Sequence, residues 1–352
     1  MRTIKTLLLT FTGCLFLASC MRSTTLTVLQ PAQMKLPEHI SKVAVVDRSK
    51  PSSGWLNVLE GLFTGEAIGQ DRRSRQEAVA GLTDALTRTP RFRVISTGVE
   101  MTGSKAGNNL PPPLEWEQIE RICGDYDADA VAAIESFDSD NFINVSKETS
   151  RKKDKNGKSY TETYYDARQR TGVRIGWRLY DPKTRVILDE FVTDDYLERS
   201  ARGNTDNKAR QNLPSQVSIT RDVAFNVGLE YGARIAPVYV NVKRNYYKKA
   251  KGYESQMDKA ARYAQGEDWD HAAEIWKKIA ESAGENTKAA GRAAYNMAVA
   301  AEIKGNLELA LEWAQKAWND YGNKMARDYI QVIRQRQNDA RKLEYQLPGK
   351  RV

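Results

Sequence analysis

Lys42-Val43-Ala44-Val45-Val46-Asp47 is a compact apolar run with a charge at each end, following Pro37 by a few residues. Six residues are too few for a helix of ordinary length, and β-branched valines suit a strand covered on both faces. This run reads as a buried strand, and the segments after it alternate helix and strand. Ala78, Val79, Leu82, Ala85 and Leu86 recur at helical spacing, and Pro90 ends that helix. Phe92, Val94 and Ile95 form the next strand, Gly98 to Pro113 a long loop, and Trp116, Ile119, Cys123 and Tyr126 one face of a second helix. Ala130 to Glu135 is then a third strand.

Beyond it the pattern turns antiparallel. Asn141 to Lys147 and Ser159 to Arg168 flank Arg151-Lys152-Lys153-Asp154-Lys155-Asn156-Gly157-Lys158, where Asn-Gly is a hairpin signal. Val173, Ile175, Trp177 and Leu179 alternate with polar residues as a half-buried strand, Asp181-Pro182-Lys183-Thr184 turns, and Val186 to Val192 returns. A helix from Ser215 to Tyr231 and a short strand through Val238, Val240 and Val242 complete this domain. Working outward to the start of the chain, Leu26 to Leu29 reads as a first strand.

The N-terminus carries an address. Arg2 and Lys5 precede an apolar run, Leu7 to Leu17, which is too short to span a bilayer, and Leu17-Ala18-Ser19-Cys20 closes it. The ending resembles the lipobox of bacterial lipoproteins, which implies cleavage before Cys20 and acylation of that cysteine. Met21 and Arg22 follow with no aspartate at the second position, so inner-membrane retention is not indicated and an outer-membrane anchor is expected, and the absence of an acidic cluster after Cys20 argues that it faces the periplasm. Loss of Arg2 and Lys5 would lower the formal charge from +9 to +7. The full sequence is 41% apolar and 28% charged, the composition of a soluble protein, and no run after the signal is long enough for a further membrane helix. A basic protein outside the cytoplasm meets lipid before nucleic acid, so no nucleic-acid partner is expected.

Little chemistry is written in the sequence. Cys123 has no intramolecular disulfide partner once Cys14 leaves and Cys20 is acylated, and on its helical face it reads as a core thiol. Only His39 and His271 are available, so neither a cysteine nucleophile nor a zinc site is expected. Gly61, Gly65 and Gly69 lack a following Gly-Lys-Ser/Thr, which leaves a packing helix or loop. Asp138, Asp140, Asp194 and Asp195 fall at strand ends without calcium-loop spacing and read as solvated charges. The basic hairpin Arg151 to Lys158 reads as edge protection, with contact to anionic lipid as the alternative. No catalytic, metal or cofactor residue is assigned.

After the basic linker Lys243-Arg244-Asn245-Tyr246-Tyr247-Lys248-Lys249 the pattern is helical. Gly266, Trp269, Ala272, Trp276 and Ile279 correspond to Gly305, Leu307, Ala310, Ala314 and Ala317, with Ala272 and Ala310 offset by 38. This resembles tetratricopeptide repeats, whose period is about 34. Ala260 and Tyr263 are expected on a groove of the first repeat, Met297, Ala298 and Ala301 in the second, and Tyr321 to Tyr345 as a polar capping helix. Two repeats fall short of independent stability, so support from the α/β domain or a partner is expected.

A second resemblance covers roughly Lys42 to Val240. Lys42 to Val46, Leu82 to Leu86, Arg91-Phe92-Arg93-Val94-Ile95, Tyr126-Asp127-Ala128-Asp129-Ala130 and Arg178 to Thr184, in that order, look like the CsgG-like and TolB N-terminal-like α/β domain of envelope lipoproteins. The whole chain is similar to a bacterial outer-membrane lipoprotein family that joins such a domain to a helical repeat tail. That family has no assigned activity, so the resemblance implies fold and location. CsgG-type pores need hairpins with about ten alternating apolar residues. Lys147, Arg151, Tyr160, Glu162 and Asp166 leave neither parity of Ser139 to Arg168 apolar, so no channel is expected.

The expected fold is α+β: an α/β sandwich-type domain with a mixed sheet, then an all-α tetratricopeptide-like domain. The expected divisions are signal 1–19, lipidated tether 20–25, α/β domain 26–242, basic linker 243–257, helical repeats with cap 258–345, and tail 346–352. The expected role is a non-enzymatic scaffold, lipid-anchored at Cys20, that binds an envelope protein through Tyr263, Trp269, Trp276 and Trp313. The alternatives are a ligand-binding or secretion-accessory lipoprotein and, last, a hydrolase using the acidic strand ends. The sequence sets no oligomeric state.

Overall fold

The structure is a computed structural model that describes residues 20–50, 65–102 and 110–347. Signal residues 1–19, Gly61 and the tail from 348 lie outside the described residues. The element order is β1 (Met21–Gln30), β2 (Lys42–Lys50), α1 (Gly65–Arg88), β3 (Arg93–Thr102), α2 (Trp116–Tyr126), β4 (Ala130–Lys153), β5 (Ser159–Asp181) and β6 (Val186–Gly203). There follow α3 (Asp206–Gln211), α4 (Gln216–Ile235), β7 (Val238–Tyr247), α5 (Glu254–Gln265), α6 (Trp269–Ser282), α7 (Thr287–Ile303), α8 (Leu307–Asn319) and α9 (Lys324–Gln346). The fold is α+β, a mixed-sheet domain followed by an all-helical region. The described residues form two compact units, 29–240 with 340–347 and 20–28 with 241–339.

The first unit holds a five-stranded sheet in the order β3-β2-β4-β5-β6. The run from Lys42 to Asp47 is its parallel centre, paired with β3 on one side and β4 on the other. Alternation along β2 feeds two cores. Val43 and Val45 join Leu82 and Leu86 of α1, Val223 and Val227 of α4, and Trp177 of β5. Ala44 and Val46 face Ile119, Ile122 and Cys123 of α2. Helices α1 and α4 lie close because of two glycines. A Cβ on Gly81 would sit 2.0 Å from the Phe225 carbonyl oxygen, and one on Gly228 2.1 Å from that of Ala78. Gly65 and Gly69 lie within α1, a helix and not a phosphate loop.

β4 and β5 are single strands of 24 and 23 residues. The sequence suggested shorter pieces, because only their inner halves bury apolar residues. Backbone pairing continues without a break from Ser136↔Gly176 to Lys153↔Ser159. β6 follows β5 only as far as Tyr165↔Gly203, so the last turns of the hairpin have two strands.

In the helical unit, short polar caps set the helix starts. The side chains of Asp268, Asn286 and Asn306 each accept a backbone N–H three residues on. The caps Asp268 and Asn306 repeat the 38-residue offset of Ala272 and Ala310. α7 is buried almost all round, with alanines allowing close approach of its neighbours.

Two expected connectors are structured. Residues 20–25 are not a tether: all but Cys20 lie in β1, which pairs with β7. β7 runs to Tyr247, so the first third of the expected 243–257 linker is strand as well. Each segment alone is polar and lacks a strong strand signal. The ladder between them, more than 200 residues apart in sequence, supplies the backbone hydrogen bonds.

Candidate functional site

Cys20 is exposed, and its carbonyl oxygen accepts the Lys248 N–H at 3.0 Å. The Arg22 guanidinium reaches the Ala261 carbonyl at 3.3 Å, hydrogen-bonds Gln265, and stands 3.8 Å from Asp258, all on α5. Thr27 Oγ1 meets Asn241 Oδ1 at 2.8 Å across the ribbon.

The end of β7 is fastened by three kinds of contact. Tyr246 is buried against Trp269 and Trp276 of α6, with ring centroids 5.7 and 5.9 Å away and the two indoles 6.3 Å apart. Asn296, buried in α7, completes the strand's ladder. Its Oδ1 accepts the Tyr247 N–H and its Nδ2 donates to the Tyr247 carbonyl, both at 2.7 Å. The third contact is ionic. Arg244 donates to Glu302 through Nε at 2.7 Å and Nη2 at 2.8 Å, Arg336 of α9 donates at 2.9 Å, and the Tyr329 hydroxyl donates to the same carboxylate. Burial first, then the neighbouring Glu302 carboxylate, pushes the Tyr329 hydroxyl far above its usual pKa, so it stays a donor.

This arrangement corrects the expected partner site. Trp269 and Trp276 are 8% and 0% exposed and belong to the core beneath the ribbon, so they present no surface to a partner. Tyr263 is half-buried and stacks on His271, centroids 5.3 Å apart at 25°. Trp313 is half-buried on α8 beneath Lys316, 5.3 Å from its ring centre. The four aromatics therefore do not form one patch. Sequence reasoning missed Arg244, Asn296 and Glu302. The readable signal was a carboxylate and an amide in an alanine-rich helix, positions where only a partner from elsewhere justifies burial.

The other unit has a polar cluster at the C-terminal end of β2, where Glu135 of the neighbouring β4 lies, the side of an α/β sheet at which ligands commonly bind. Buried Glu135 accepts from Arg48 at 2.7 Å and from the Tyr180 hydroxyl, with Arg178 at 3.7 Å. Arg178 also donates to the Pro111 carbonyl at 2.6 Å and to Glu190 at 2.7 Å, while Arg48 donates to the Pro112 carbonyl at 2.7 Å. Gly176 makes room for this segment, since a Cβ there would lie 2.0 Å from Leu110 Cδ2. Asp47 is held by Arg75 at 3.2 Å and by Ser49. Each named charge has a partner, which makes the cluster a clasp over the strand ends.

Beside it runs a groove of about 700 Å³ between α1 and β3, lined by Asp47, Arg72, Gln76, Thr83, Asp84 and Glu100 among others. A second pocket, about 400 Å³, is lined by His39, Cys123 and Asp129. His39 Nε2 is 3.1 Å from Asp181 Oδ2. Burial, then the charges of Asp129 and Asp181, raise the Cys123 thiol to about 11, so the sulfur is protonated at neutral pH and a poor nucleophile. Burial alone would raise Asp129. Hydrogen bonds from Ser41 and Lys42 outweigh it and hold the carboxyl below the ordinary value.

Among the described residues no group of three or more His, Cys, Asp or Glu could hold a metal ion. The register explains why Asp138 and Asp194 make no such site, because Arg174 is the partner of both, on β5 between them. Asp140 faces Gly172, and Asp195 faces Val173 on the other parity. Among the same residues no helix is long and apolar enough to cross a membrane.

No curated protein matches this sequence. Among solved structures, the chain is similar to a PelC dodecamer subunit from Paraburkholderia phytofirmans, with 13% identity over 61% of this chain and 99% of that one, at a TM-score of 0.24. It is also similar to a neuraminyllactose-binding hemagglutinin homolog from Helicobacter pylori, with 10% identity over 56% and 84%, at a TM-score of 0.21. Overlap at this level says nothing of what the chain does. Residues 258–342 match the family described as Domain of unknown function (DUF6340). Residues 40–247, more than half of the chain and nearly all of the mixed-sheet domain, match the family described as Domain of unknown function (DUF8603), and the chain belongs to that family.

Proposed function

We propose that this chain is a non-enzymatic, lipid-anchored scaffold of the bacterial envelope, attached to the periplasmic face of the outer membrane through an acylated Cys20. One observation carries the reading. Cys20 is exposed and its own backbone is bonded to Lys248 at the end of β7, so an acyl group there is fixed to the helical unit without slack. In this reading the helical unit is tetratricopeptide-like, the mixed-sheet domain is CsgG-like without a pore, and the partner is another envelope protein. Because Trp269 and Trp276 are spent on holding β7, partner contact falls to Tyr263 and Trp313, the two half-buried aromatics.

Crosslinking followed by pull-down from membranes tests this, comparing the natural chain with Tyr263→Ala/Trp313→Ala. Loss of a crosslinked band from the variant, with membrane attachment unchanged, supports the scaffold. An unchanged set of bands refutes it. A ligand-binding or secretion-accessory role is the second reading, favoured by the groove of about 700 Å³ with its mixed Arg72, Gln76, Asp84 and Glu100 lining. A glycan or nucleotide that protects this groove from hydrogen exchange would favour it over the scaffold.

A further inference from the structure

The far end of the β4–β5 hairpin extends beyond the rest of its sheet. Beyond Lys147↔Tyr165, from Glu148↔Tyr164 to Lys153↔Ser159, the two strands pair among the described residues only with each other, a ribbon of six residue pairs reaching roughly 20 Å past the last residue of β6. An isolated two-stranded ribbon buries little and gains little stability. Its side chains from Arg151 to Tyr160 are all exposed.

Parity sorts its charges. Register partners share a face and successive residues alternate, so Lys147, Arg151 and Lys153 lie on one face opposite Tyr165, Thr161 and Ser159. No carboxylate lies on that face between Lys147 and Lys153. The acids Glu148 and Glu162 fall on the other face, where Glu162 pairs with Lys152. The turn adds Lys155 and Lys158, while its Asp154 carboxylate accepts the backbone N–H groups of Asn156 and Lys158. Thus Lys147, Arg151, Lys153, Lys155 and Lys158 have no carboxylate partner among the described residues, and only Lys152 of this tip does.

Edge protection needs a charge or two on an edge, not one face swept clear of acids. We infer that this cationic face and its turn dock on the anionic headgroups of a phospholipid bilayer. A flat strand face presents its cations in one plane, as a flat surface of opposite charge requires, and the neighbouring Thr149, Thr161 and Thr163 offer hydroxyls to phosphate oxygens. Nucleic acid fits less well, because the one aromatic side chain on this face, Tyr165, lies at its inner end beside Lys147, and none stands near Arg151 or Lys153 for bases to stack on. The contact is separate from acylation at Cys20, and it holds whether or not the scaffold reading does.

The test uses residues 20–352 carrying Cys20→Ser, which keep every described element, in sedimentation with vesicles. The chain should bind vesicles containing phosphatidylglycerol and not those of phosphatidylcholine alone, and should be released at about 1 M salt, where the Debye length is about 3 Å. Lys147→Gln/Arg151→Gln/Lys153→Gln should lower partitioning on the order of 100-fold, near tenfold or less per cation. Glu148→Gln/Lys152→Gln, on the opposite face, should leave it unchanged. Circular dichroism checks the fold, and Lys155→Gln/Lys158→Gln in the turn gives a second loss should the triple variant misfold. Equal binding to both vesicles, full binding by the triple and turn variants, equal loss from either face, or tighter binding to duplex DNA than to vesicles would each overturn the inference.

Discussion

Replacing Glu302 by Gln removes one charge from the most heavily bonded carboxylate of the helical unit while keeping its shape. The wild-type side chain is fully buried and receives two bonds from Arg244, one from Arg336 and one from Tyr329. Glutamine retains one acceptor oxygen and turns an NH2 group toward a guanidinium. Removing one member of a buried ion pair costs about 3–5 kcal/mol, chiefly because the other charge is left uncompensated. The guanidiniums of Arg244 and Arg336 are 13% and 22% exposed and regain some water, which places the expected loss near the lower end, about 3 kcal/mol. Urea unfolding followed by tryptophan fluorescence reads it, since Trp269 and Trp276 lie under the same ribbon. A companion variant sharpens the reasoning: with Glu302→Leu, Arg244→Met and Arg336→Met together, most of the lost stability should return. A loss below about 1 kcal/mol for Glu302→Gln would refute the idea that this carboxylate fastens β7 to the helices.

Further outcomes follow from the same contacts. Asn296→Ala removes two hydrogen bonds to Tyr247 and should cost about 2 kcal/mol, with faster exchange of the Tyr247 amide. Asp129 and Asp181 are both held below the ordinary carboxyl value. For Asp181 burial opposes this and bonds from Thr184, His39 and Lys183 outweigh it. A depressed carboxyl gives stability that is complete above the unfolded pKa of about 3.9 and lost as pH falls through the lower folded value. The melting temperature should therefore hold from neutrality to about pH 5 and fall below about pH 4, less steeply for Asp129→Asn. In a Cys20→Ser chain, Cys123 should resist a thiol reagent at neutral pH until urea exposes it, as its raised pKa and burial require.

The sequence disclosed most where burial and local period coincide. Lys42 to Asp47, the α1 stripe through Leu82 and Leu86, and α2 from Trp116 to Tyr126 were readable because each pairs apolar spacing with a nearby breaker. The outer hairpin was not readable as one element, since backbone pairing extends β4 and β5 past the last buried side chain and leaves no apolar period behind. The β1–β7 ribbon was missed for a different reason. Met21 to Thr25 and Lys243 to Tyr247 look like polar connectors until each finds the other across the length of the chain. That pairing also reverses the reading of Trp269 and Trp276. Large aromatics in a repeat helix suggest a partner groove, and here Tyr246 arrives to cover them. Tyr263 and Trp313 keep partial exposure.

The most direct test of the lipid anchor on which the account rests is the mass of the N-terminal peptide of the chain purified from membranes. The account predicts that the chain begins at Cys20 and that this residue carries acyl groups. A chain that retains residues 1–19, or that begins at an unmodified Cys20, would contradict it.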